Sequence, residues 1–67
     1  MEIELIIINV RESYILAIDD GIVYTANSGA DGRWYAFEYG DIVSISNGDT
    51  KEVCIENLKN WIRQYRR

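Results

Sequence analysis

Residues 32–49 read GRWYAFEYGDIVSISNGD. Four of the chain's eight aromatic residues fall between Trp34 and Tyr39. The way they alternate decides which side of a strand is core. Successive side chains of an extended chain point to opposite faces, so Tyr35, Phe37 and Tyr39 share one face, and Trp34, Ala36 and Glu38 the other. The face with three rings is the simplest core face. Trp34 then stands on the outer face beside Glu38, next to the loop NSGADG at 27–32. Two readings of it follow. It is an anchor for a partner, since interface hot spots favour Trp, Tyr and Arg, or it is a second small core beneath a curled sheet.

Downstream, 41–46 reads as a further strand, and Asn47-Gly48 is a strong hairpin signal. The hairpin predicts a sixth strand over 50–55, where Val53 and Ile55 are β-branched and alternate. The competing reading starts a helix there, with Asp49 as N-cap and Glu52 three residues on. Leu58, Trp61, Ile62 and Tyr65 then recur at helical spacing. Asn57 is a candidate N-cap for that helix. Lys59, Arg63, Arg66 and Arg67 form a second, basic stripe, and Trp61 could reach the ring-bearing sheet face.

Upstream, residues 3–10 read as a strand that is apolar on both faces. Ile3, Leu5 and Ile7 lie on one side, and Ile6, Ile8 and Val10 on the other. Such a strand is either covered twice or waiting for a partner. Residues 14–19 and 22–27 are strands joined by the turn signal Asp19-Asp20-Gly21, with Ile22, Tyr24 and Ala26 on one face. The expected fold is α+β: one domain over 1–67, an antiparallel β-meander of five to six strands, open or curled toward a barrel, with one C-terminal α-helix packed on it.

A chain of 67 residues is limited to one domain and buries a small core. Small scaffolds usually need a staple. Cys54 is the only cysteine and there is no histidine, so neither an internal disulfide nor a structural zinc site is expected. That leaves dense packing or oligomerisation, and a homodimer is the expected solution. The start is acidic, and its unbroken apolar run is only Leu5–Ile8. Neither a signal peptide nor a membrane helix is expected. The lone thiol fits a reducing compartment, so the chain is read as cytoplasmic.

The net charge of −4 divides unevenly: residues 1–50 carry −7 and residues 51–67 carry +3. An acidic body steers toward basic partners. Catalysis finds little support. There is no histidine base, Cys54 lies in an apolar or strand context without an obvious cationic partner, and Asp19-Asp20 sits in a solvated turn. The run Asn27, Gly29, Asp31, Gly32 and Glu38 has partial EF-hand spacing, but it lacks the first aspartate and helical flanks. No catalytic residue, metal site or cofactor is expected.

Three binding roles follow. The first is a non-enzymatic acidic module that binds another protein with a basic surface, through Trp34, Arg33, Asp31 and Glu38. In size and charge the chain resembles the small acidic proteins of phages and mobile elements, many of which block host complexes. That resemblance implies an inhibitor or regulator that occludes its target. The second role is nucleic-acid binding through Lys59, Arg63, Arg66 and Arg67. The third is assembly of a homo-oligomer through the first strand.

Overall fold

The computed structural model describes residues 3–66. Five strands, β1 (Ile6–Arg11), β2 (Tyr14–Asp19), β3 (Ile22–Ser28), β4 (Trp34–Glu38) and β5 (Ser46–Gly48), precede one helix, α1 (Lys51–Tyr65). The strands pair in chain order as an antiparallel meander. The sheet is open and α1 packs on one face, so the class is α+β.

Local chemistry accounts for the first half. Asp20 and Gly21 join β2 to β3 with φ of 51° and 79°. Both values are left-handed, as a two-residue turn of the primed type requires, and Asp-Gly meets that requirement cheaply. β1 meets β2 through a bulge: Asn9 faces Ile15, and the next pair is Arg11 with Tyr14. Val10 is the extra residue.

The core lies on one face of β2 to β4. It joins Ile15 and Ala17 of β2, Tyr24 and Ala26 of β3, and Ala36 of β4 to Cys54, Leu58 and Ile62 of the helix. Ile3, ahead of β1, completes the cluster. Residues paired across antiparallel strands share a face. The pairs Ala26–Ala36, Tyr24–Glu38 and Ser28–Trp34 therefore put Trp34, Ala36 and Glu38 on the helix side.

This reverses the expected orientation of β4. Tyr35 and Phe37 lie on the outer face, Tyr39 lies outside the strand and is exposed, and Trp34 packs against the core. Ring count misled because the covered face is chosen by what the helix can approach. Ala26 and Ala36 form a flat floor that admits Cys54, Leu58 and Ile62, and interiors reward close contact. Three rings would hold the helix away. Trp61 meets Tyr24 edge-to-face instead, with ring centroids 6.5 Å apart.

The expected strand 41–46 is shorter and later, at Ser46–Gly48, and Asn47-Gly48 is strand rather than turn. The sixth strand is replaced by the first turns of α1. The N-cap is Thr50, not Asp49 or Asn57, and its hydroxyl accepts from the Val53 N–H at 3.2 Å. Val53 and Ile55 are helical because Cys54, Leu58 and Ile62, spaced by four, are all buried. That burial outweighs the small propensity cost of two β-branched residues.

Gly48 serves close approach, not turn geometry. A Cβ there would sit 2.6 Å from the Cys54 amide nitrogen. Around it the Asn57 side-chain amide donates to the Asn47 carbonyl at 2.7 Å, and the Ser46 hydroxyl donates to the Cys54 carbonyl at 3.3 Å. Gly48→Ala should therefore destabilise the domain by about 1–3 kcal/mol through overpacking. Leu58→Ala should cost about 2–5 kcal/mol through a cavity. Urea midpoints at constant slope measure both.

Candidate interaction surfaces

The 27–34 segment is built on its own hydrogen bonds. The Gly29 N–H donates to the Arg33 carbonyl at 2.7 Å, and Gly32 N–H to the Gly29 carbonyl at 3.0 Å. The Asp31 carboxylate accepts from the Arg33 N–H at 3.0 Å and from the Tyr35 hydroxyl at 2.5 Å. The Arg33 guanidinium is ion-paired with Asp49 and donates to the Asn47 side chain at 2.8 Å. This cluster ties the β3–β4 loop to the end of β5 and the start of the helix. Arg33, Asp31 and Trp34 are thus brought to one end of β4. Glu38 stands at the other end, ion-paired with Arg66.

The basic stripe is also partly engaged. Arg66 pairs with Glu38 and lies 5.3 Å from the centre of the Trp61 ring. Arg63 donates to the Asn60 side chain at 2.6 Å, and Lys59 is half-buried. Arg67 lies outside the described residues.

Residues 39–45 form a surface that periodicity did not reveal. The Tyr39 N–H donates to the Val23 carbonyl at 3.0 Å, Asp41 N–H to Glu38 at 2.9 Å, and Ile45 N–H to Ala36 at 2.8 Å. Gly40, at φ 91°, turns the chain out of the sheet. Between these fixed points Tyr39, Ile42 and Val43 are 68%, 93% and 71% exposed. Asp41 stands among them. The signal available in the sequence was Gly40-Asp41, a turn pair that breaks a strand otherwise continued by Ile42 and Val43.

The outer sheet face is the second open surface. Ile6, Ile8 and Val10 of β1 are exposed. Beside them lie Leu16, Ile18, Val23 and Phe37, all half-buried. Among the described residues no element packs on this face. At the end of the strands, where Arg11, Tyr14 and Asn27 lie on this face, these three residues with Ser13 and Ser28 line a cavity of about 460 Å³. The Arg11 guanidinium lies 5.6 Å from the centre of the Tyr14 ring there.

Cys54 is buried, and burial pushes its thiol above the ordinary range. A protonated, enclosed thiol is a poor nucleophile. Among the described residues no helix is long and apolar enough to cross a membrane. Comparison with protein-family models finds no match, and comparisons with curated proteins and with solved structures find no significant match. The site must therefore be read from its own chemistry.

The Tyr35 hydroxyl and the Arg33 amide hold the Asp31 carboxyl below 3.8, and the same hydrogen bond pushes Tyr35 above 10.0. A carboxyl lowered in the folded state adds stability above its unfolded value, and that stability is lost as pH falls through the folded value. The loop cluster should loosen only below about pH 3.8. In Tyr35→Phe the Asp31 titration followed by NMR should move up toward 3.8, because the largest cause of its depression is gone. An unchanged titration would remove Tyr35 from the account of this loop.

Proposed function

We propose that this chain is a non-enzymatic protein-binding module, an inhibitor or regulator that works by occluding its partner. The observation that carries this reading is the 39–45 loop. It presents Tyr39, Ile42 and Val43 largely to water although both of its ends are hydrogen-bonded to the sheet. A 93% exposed isoleucine gains nothing for the isolated fold. Buried in a partner's pocket, a side chain of this size contributes about 1.5–3 kcal/mol. A backbone held at both ends limits the ordering cost of binding.

Charge supports a partner of basic character. Asp20 and Asp41 are exposed at the same end of the sheet as the loop, within a body of net charge −7 over residues 1–50. An apolar tip with an acidic rim favours a pocket surrounded by Lys and Arg. The segment of Trp34, Arg33 and Asp31 is better suited to stiffening the scaffold, since its polar groups already have partners within the chain. Nucleic-acid binding by α1 is the weaker reading, because Arg66 is turned onto Trp61 and Glu38.

The test is site-specific photocrosslinking in cells of the source. A photoreactive residue at Ile42 should capture one dominant protein, and Asp41→Lys should reduce the yield. The same residue at Glu56, exposed on the helix, should not capture that protein. Equal capture from both positions, or none from Ile42 with the domain folded, would defeat the proposal.

A further inference from the structure

We propose that the outer face of the sheet packs against the same face of a second copy, about a two-fold axis that lies between the sheets and runs across the strands. This surface is separate from the 39–45 loop and does not depend on what that loop binds.

Three observations favour a second copy as the occupant. The first is shape and polarity. β1 is exposed along its whole length although its first three residues are isoleucine. Ile6, Ile8, Leu16, Ile18, Val23 and Phe37 make one apolar surface, and the charged groups lie at its two ends. Scattered exposed apolar residues are ordinary, but a contiguous face of this kind marks an interface. Two sheets stack face to face at about 10 Å.

The second is charge. One end of β2 and β3 carries the cavity with Arg11, Ser13, Tyr14, Asn27 and Ser28. The opposite end of the same two strands carries the turn at Asp20-Gly21. The proposed axis lays each hairpin antiparallel on its own image. The Asp20 carboxylate of each copy then meets the Arg11 cavity of the other, twice per dimer. Leu16 and Thr25, paired midway along the hairpin, fall near the axis. Among the described residues Arg11 has no carboxylate partner within its own chain; its guanidinium rests on the Tyr14 ring. The interface is self-complementary, as closed two-fold symmetry demands.

The third is area. Four strand spacings of about 4.8 Å and strands of about 20 Å give roughly 800 Å² in projection for the two faces together, before side-chain relief is counted. That lies below the roughly 1,200 Å² at which stable specific interfaces begin, in the range of weak, transient association. The dimer should accordingly be weak and reversible.

Sedimentation equilibrium on the full chain tests this. The 7.8 kDa monomer should give way to a dimer across the micromolar range. Leu16→Lys, near the axis, and Ile8→Lys, on the already exposed β1, should each weaken it about tenfold or more, with circular dichroism unchanged. The Ile8 variant keeps the test open should Leu16→Lys fail to fold. In a double-mutant cycle, Arg11→Gln and Asp20→Asn should each weaken the dimer, and the double variant should be little worse than either. Asn keeps the left-handed turn conformation available. Additive losses would overturn the Arg11–Asp20 contact, and with it the axis. A folded monomer at several hundred micromolar would overturn the interface. So would a dimer that ignores both lysine variants, or one that protects the outward amides of β1 from hydrogen exchange, since that marks edge-to-edge pairing instead.

Discussion

The structure depends on how closely one helix approaches one strand. At Gly48 the backbone of β5 and the Cys54 amide come so near that no side chain fits between them. Only two residues, Asp49 and Thr50, separate the end of β5 from the start of α1. The chain therefore reverses at once and lays the helix back across the sheet. From that starting point, spacing by four brings Cys54, Leu58 and Ile62 onto the alanine floor. Small residues on one side and branched ones on the other let a very small domain bring its helix and sheet into close contact. The same geometry turns Trp34 inward and leaves Tyr35 and Phe37 outside.

A single helix covers a single face, and this is the source of both open surfaces. The covered face takes its shape from the helix, while the other keeps a row of isoleucine, leucine, valine and phenylalanine. The loop 39–45 follows from the same constraint. Glu38 is held by Arg66 at the end of β4, and Ser46 is held beneath Cys54 at the start of β5. The intervening chain must leave the sheet and return, and it does so with its apolar side chains pointing outward. Polar groups near the proposed surfaces divide accordingly. Those of the β3–β4 loop are bonded to one another and stiffen the scaffold. Asp20, Asp41 and Arg11 remain available for partners.

The role proposed above is one of contact. Its one thiol is enclosed, and its most perturbed carboxylate is bonded to a tyrosine hydroxyl and a backbone amide within a loop. Steric occlusion requires only a stable platform, an apolar tip and a charged rim. A domain of this size supplies each of them from a different part of the meander.

Much of the fold was legible in the sequence because it rests on local rules. Alternation gave β2 and β3, Asp20-Gly21 gave their turn, and the spacing of Leu58 and Ile62 gave the helix. These signals involve residues close in the chain, and their physics does not wait for the rest of the molecule. The face of β4 that is buried, the role of Gly48 and the true start of α1 were not legible. Trp34, Tyr35, Ala36 and Phe37 alternate correctly under either orientation, and ring size argues for the wrong one. Gly48 beside Asn47 reads as a turn until the helix is seen above it. Val53 and Ile55 read as strand until Cys54 is counted with Leu58 and Ile62. The loop at Ile42 shows the same limit, since Ile42 and Val43 look like strand residues until Gly40 is known to leave the sheet. Alternation in the sequence determined which side chains share a face. Only the tertiary structure decided which face is covered, because that depends on how closely a distant helix can approach.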